Sequence, residues 1–301
     1  MRAQSSPAAQ HRRGIRWLPN QKGAWVMVVV PFLSGAVGGG FTWQHIPLFA
    51  LWISSYALFY VLGVWISSQR QLRFRPPVIA WGSIGTSLGV LNLWLCGALV
   101  PWTLLFIPLV SLALWAILHH RNRTLLARSI EVITAGLMCL VAWDAGTRIH
   151  GPFGSVVSDL GIVPIASITL ADLPRWGVIP TLLLTPYALK AVAVTVALTY
   201  YFWSTIPFVK SLVRERSSHA YAVLAKSAQW VGLAAAVIAW ACKVFDWRMP
   251  LMWGILLIRW AYFSRIAHPQ HGEKVNARQL LITVGIVETM LSILYMGAAL
   301  A

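Results

Sequence analysis

Long apolar runs with few breaks constrain this chain more than any other feature. Val78–Val100 and Ala220–Cys242 are two such runs. In lipid every backbone N–H and C=O must find its partner inside the protein, which leaves helices or a closed barrel. Barrel strands alternate over about ten residues; these runs are longer and do not alternate, so the spans read as helices. Composition agrees: 58% of the 301 residues are hydrophobic and 11% are charged, whereas soluble chains carry roughly 25% charged residues. Seventeen Trp residues fit the same reading, because indole suits the headgroup level with its apolar body and single N–H. Several stand near span ends, such as Trp25, Trp43, Trp65 and Trp102, while Trp94 and Trp115 lie inside spans.

Taking about 20 residues per span, the chain divides into nine spans: 24–42, 45–66, 78–97, 101–118, 125–145, 178–206, 222–242, 249–264 and 280–300. The sixth contains Pro180 and Pro186, with Ala188 as an alternative start. The connection 146–177 is long, and its apolar middle, Leu160–Leu170, reads as an interfacial or re-entrant piece. The expected fold class is thus all-α, a polytopic transmembrane bundle, with residues 1–16 a basic disordered tail and 17–301 one membrane domain. No cleavable signal is evident, despite the pair Arg12-Arg13.

Charge sets the expected orientation. The tail and the loops after spans two, four, six and eight, with adjoining span ends, hold nineteen Lys and Arg, Arg259 among them, against five on the other side. Basic residues accumulate on the cytoplasmic side, which places the N-terminus inside and the C-terminus outside, in a bacterial cytoplasmic membrane. The net charge of +16 is accounted for by these loops, so nucleic acid is not an expected partner. Cys96, Cys139 and Cys242 sit in apolar segments without a CxxC pair and read as small hydrophobes rather than a disulfide framework.

Two resemblances follow from particular residues. WLPNQKGAW, at 17–25, resembles the opening WxPxQHGAW of the YwiC-like membrane proteins. RFRPP after span two, VKSLVRERSSHAY after span six and VGIVETMLSIL in the last span resemble further anchors of that family, so the likeness runs from residue 17 to about 295. Lys22 stands where the family usually has His. The resemblance implies a shared fold and no defined activity. A weaker likeness is architectural: nine spans, an inside N-terminus and polar loops after spans two and six resemble UbiA-type intramembrane prenyltransferases. Those enzymes hold Mg²⁺ and a polyprenyl pyrophosphate with Asp-rich motifs at the two loops.

The corresponding stretches here, Ser67–Pro77 and Lys210–Tyr221, offer one carboxylate between them, Glu215. Mg²⁺ requires oxygen ligands, chiefly carboxylates and phosphates, so a Mg²⁺-dependent transferase of the usual kind is not expected, and no metal or cofactor is. What remains is a set of cations, Arg70, Arg73, Arg75, Lys210, Arg214 and Arg216, with Glu215 and Tyr221 beside them. In a UbiA-like bundle they would converge at one cytoplasmic mouth and grip an anionic lipid head, an isoprenoid pyrophosphate or another anionic amphiphile. The simpler reading is orienting charge in contact with lipid headgroups. Gln21, Lys22, Glu131 and Glu288 are the intramembrane polar candidates. Glu288 stands in the last span, where a carboxylate is expensive and often functional; Arg128 and Glu131 share a helix face as a local ion pair. Clustered Gly35, Gly38, Gly39 and Gly40 point to close helix packing or a turn. Histidines such as His119, His120, His268 and His271 fall in loops without a metal-ligand pattern. The leading reading is a membrane protein binding an anionic amphiphile; a metal-independent prenyl or lipid transferase and a small-solute transporter are the alternatives.

Overall fold

The structure is a computed structural model that describes residues 17–19, 22–96, 99–119, 124–150, 188–213, 216, 218–267 and 277–301. Within them the chain forms nine α-helices: α1 (Lys22–Gly39), α2 (His45–Ser67), α3 (Arg75–Leu95), α4 (Val100–Leu118), α5 (Leu125–His150), α6 (Ala188–Val213), α7 (His219–Ala241), α8 (Arg248–Ala267) and α9 (Ala277–Leu300). A 3₁₀ turn, Leu72–Phe74, leads into α3. These match the nine expected spans to within a few residues at most ends. The exceptions are α6, whose described part begins at the alternative start Ala188, and the longer ends of α5 and α6. The expected re-entrant stretch and the tail lie outside the described residues.

Local chemistry explains several boundaries. Pro76 and Pro77 occupy the first turn of α3 and Pro101 that of α4, where a missing N–H leaves no bond unmade. Gly40, at φ 92°, ends α1 in a conformation that only glycine adopts freely. At the end of α2, Gln69 and Arg70 take φ of 58° and 60° without being glycine, and the Arg70 N–H closes back on the Trp65 carbonyl at 3.0 Å.

Seven of the helices, α2–α7 and α9, are long and apolar enough to cross a membrane. The outer faces confirm which solvent they suit. On α9, Ile282, Ile286, Met290, Ile293 and Leu294 are exposed, whereas Leu280, Val284, Leu291, Tyr295 and Ala299 are buried. An outward stripe of large apolar side chains on helix after helix is a lipid-facing surface, far beyond what a soluble monomer exposes. The molecule is therefore a multi-pass membrane bundle. α8 is the more polar helix: it carries Arg248, Arg259 and Arg265.

α1 and α5 form the closest joint. A Cβ added at Gly35 would run into the Cys139 carbonyl, at Gly38 into the Trp143 ring, at Gly39 into the Trp143 backbone and at Gly146 into the Gly40 carbonyl. Small residues let backbones approach where lipid offers no hydrophobic push. The four clustered glycines thus serve both expected purposes: three pack the helix and Gly40 turns it. α6 packs on α5, α7 and α9; α7 packs on α8; α3 leans chiefly on α2. One large core runs through α1, α5, α6, α8 and α9, and a second cluster, including Phe208, Ala225, Phe263 and Val284, fills the end of α6–α9 nearer the basic loops.

Candidate functional site

Where those two clusters meet, α6, α8 and α9 enclose a charged centre. Val287 packs against both clusters, and its neighbour Glu288 turns inward at the middle of α9. Arg259, at the middle of α8, donates through Nη1 to Glu288 Oε1. Their side chains are 3% and 15% exposed. Tyr201, midway along α6, donates its hydroxyl to Glu288 Oε2 at 3.2 Å. The Phe208 ring lies against the guanidinium, 4.3 Å from centroid to Cζ, so an aromatic face shares the positive charge. Tyr201 stacks on Tyr295 with centroids 4.6 Å apart. The Tyr295 hydroxyl accepts from Trp253 Nε1 at 3.2 Å and donates to the Ala197 carbonyl at 3.2 Å.

Burying one member of such a pair alone would be prohibitive, and the pair persists because each charge is answered and hydrogen-bonded. On Arg259 the answer is partial: Nε and Nη2 are buried with no hydrogen-bond partner among the described residues. Since Nη1 faces Glu288, the remaining side-on edge of the guanidinium, Nε with Nη2, is the fork that matches an oxyanion.

A second polar layer sits at the opposite end of the bundle from the basic loops. His45, almost fully buried at the start of α2, accepts the Thr42 backbone N–H on Nδ1 at 3.0 Å. Nε2 therefore carries the hydrogen and donates to the Ala142 carbonyl of α5 at 2.9 Å. Buried Asp144 accepts from Trp102 Nε1 at 2.7 Å, tying α4 to α5. These bonds fasten helices at the end where α1 turns over Gly40.

The sequence candidates are distributed as follows. Glu288 is at the centre just described. Glu131 pairs with Arg128 at 2.6 Å along α5, the expected local bridge. Arg70, Arg73 and Arg75 are all exposed, Arg73 lying 4.8 Å over the Phe74 ring. Lys210 donates to the Tyr221 hydroxyl at 3.2 Å and covers its ring at 4.9 Å. Arg216 Nε donates to the Leu212 carbonyl. Gln21, Arg214 and Glu215 lie outside the described residues, as does the Lys22 side chain. The main helix contacts set the 70–75 stretch on the α2–α3 flank, and Lys210 and Tyr221 on the α6–α7 flank. Among the described residues, no group of three His, Cys, Asp or Glu could hold a metal ion.

Arg259 needs correction as an orienting charge. It is 5% exposed and engaged with Glu288, so it does not belong with the loop residues that were counted for topology. Tyr201, Tyr295, Trp253 and Arg259 were missed by sequence reasoning. The available signal was Arg259 itself, six residues inside α8 from Arg265, at a depth where an arginine needs a counter-charge.

Fold and site together define a multi-pass helical membrane protein with an enclosed ion pair among its helices. Its N-terminal part is similar to the YwiC-like proteins: the family described as YwiC-like protein matches residues 18–143. The chain is also 34% identical over 65 residues to the uncharacterized protein YwiC of Bacillus subtilis strain 168, a stretch covering 22% of this chain and 27% of that relative. The matched stretch thus spans little more than a quarter of that protein. The resemblance read from WLPNQKGAW, save its Trp17, and from RFRPP falls inside the matched region; the anchors after span six lie beyond it. No solved structure matches the chain.

Proposed function

We propose that the protein is a small-solute carrier of the bacterial cytoplasmic membrane, working through the Arg259–Glu288–Tyr201 centre, with its N-terminus and basic loops on the cytoplasmic side. The observation that carries this reading is the enclosed ion pair at the middle of α8 and α9. An ionisable pair at that depth is expensive, faces the bundle interior and characteristically marks a substrate or ion pathway. Carrier sites also lie near the midplane between packed helix groups, which is where α6, α8 and α9 meet. Pro207, inside α6 between Tyr201 and Phe208, interrupts the helix ladder beside the centre, so the two aromatic contacts of the pair stand on either side of a weakened turn. The test is flux: proteoliposomes holding the full chain are screened against carboxylates, phosphates, amino acids and sugars by solid-supported-membrane currents and counterflow of labelled solute. At least one class should be transported, and Glu288→Gln should abolish that transport while the protein still elutes as one species. Transport equal to empty liposomes across the panel would defeat the carrier reading.

A second reading concerns the basic loop itself. Leu72 is 71% exposed between exposed Arg70, Arg73 and Arg75. An apolar tip ringed by arginines suits insertion among anionic headgroups, at about 1 kcal/mol per basic residue. Replacing the three arginines with Gln should lower the phosphatidylglycerol that co-purifies with the protein. An unchanged lipid profile would reduce these residues to orienting charge. The metal-independent transferase reading has no comparable observation behind it.

A further inference from the structure

The centre contains more unanswered polarity than the ion pair requires. Arg259 is 5% exposed, and its Nε and Nη2 find no partner among the described residues. On the neighbouring helix, Gln229 is fully buried, and among the described residues neither its amide oxygen nor its amide nitrogen has a partner. Buried polar atoms are rarely left so, and each unanswered one needs a reason.

The two side-chain heads reach toward one level. α7 and α8 run antiparallel, with Gly232 against the Trp253 ring. Moving toward the basic loops, Gln229 comes about one turn beyond Gly232 and Arg259 about two turns beyond Trp253. Side chains of a helix lean toward its N-terminus. That lean carries the Arg259 head back toward Trp253 and the Gln229 amide toward the basic loops, so the two heads approach the same level. Both residues lie on the buried faces by which α7 and α8 pack.

We propose that this layer is a binding site for an oxyanion of single negative charge, a carboxylate or a phosphate, and that the anion enters together with one proton. The inference rests on the carrier reading and names its substrate class. The free edge of Arg259 would take two oxygens side-on, and the Gln229 amide would donate to one of them or to the adjoining part of the ligand.

The proton follows from charge. Without ligand, Arg259 and Glu288 cancel. An added anion leaves one negative charge enclosed, which a site at this depth does not tolerate. A proton from bulk water onto the Glu288 carboxylate restores neutrality: the anion then accepts from Nε–H and Nη2–H of Arg259, and Glu288 stays bonded to Tyr201. The titratable and charged groups facing Glu288 are Tyr201 from α6, Arg259 from α8 and Tyr295 from its own helix. α1, the other helix packed on α9, supplies none over residues 23–39. Among the described residues, no base other than Glu288 faces this centre to take the proton.

Calorimetry of the purified full chain in two buffers of different ionisation enthalpy tests this, with benzoate and inorganic phosphate as probes. One of the two should bind with uptake approaching one proton per anion, and which one responds separates the carboxylate source from the phosphate. Arg259→Lys keeps the charge but loses the fork and should weaken binding by roughly tenfold. Gln229→Leu should weaken it as well. Glu288→Gln, neutral and still able to accept from Tyr201, should bind the anion with no proton uptake. Binding of neither probe at millimolar concentration, binding by the unaltered protein without a proton, or full affinity in Arg259→Lys would each overturn the proposal. Solute flux without proton uptake would overturn it and leave the carrier reading standing; proton-coupled binding without flux would do the reverse.

Discussion

Glu288 meets Arg259 and Tyr201 in a space closed by α6, α8 and α9, so deleting its carboxylate leaves a guanidinium buried without a counter-charge. Glu288→Ala should therefore destabilise the protein by about 3–5 kcal/mol, while the double variant Arg259→Met/Glu288→Leu should recover most of that loss, because two apolar side chains remove both unanswered charges. Thermal unfolding in detergent, followed by tryptophan fluorescence, measures both; a double variant as weak as the single would mean that the pair does more than cancel itself. Of this centre only Glu288 was legible in the sequence, as an acid alone in an apolar span. Arg259 was absorbed into the loop count because charge counting ignores burial, and burial is decided by neighbours on other helices. Within the run Tyr200-Tyr201-Phe202-Trp203 nothing local says which ring turns inward. Gln229 was invisible for the same reason: within α7 it is one polar residue in an apolar stretch.

The helices themselves were readable because their lengths follow from the width of the hydrocarbon layer, and their ends from proline, glycine and arginine. What hydropathy could not supply was pairing, which depends on side-chain size where two helices touch. The joint of α1 with α5 shows this most sharply: the clustered glycines announced a close approach, yet Trp143 and the Cys139 carbonyl as the opposing surface came only from the fold. Gly39→Val should prevent α1 from seating on α5, since the backbone of Trp143 cannot retreat as a side-chain tip can; overpacking of this kind costs about 1–3 kcal/mol or more. Gly285→Ala, with nothing within 4 Å of the added methyl, should behave as the unaltered protein. Size-exclusion profiles and yields compare the two, and a monodisperse Gly39→Val protein would show that the joint can open.

Across the whole molecule, basic residues collect at the loops after α2, α4, α6 and α8, and removing Arg259 from that set leaves the asymmetry intact. A reporter fused after Gln71 should accordingly register on the cytoplasmic face and one at Ala301 on the opposite face; the reverse pattern would invert the orientation proposed above. The glycine joint also bears on how such a chain can drift over generations. Lipid-facing positions such as Ile286 and Met290 ask only for greasiness and can wander among Leu, Ile, Val and Phe. Positions 35, 38, 39 and 146 admit little beyond a hydrogen atom, so a saturation library should be nearly silent along the outer stripe of α9 and almost barren at those four codons.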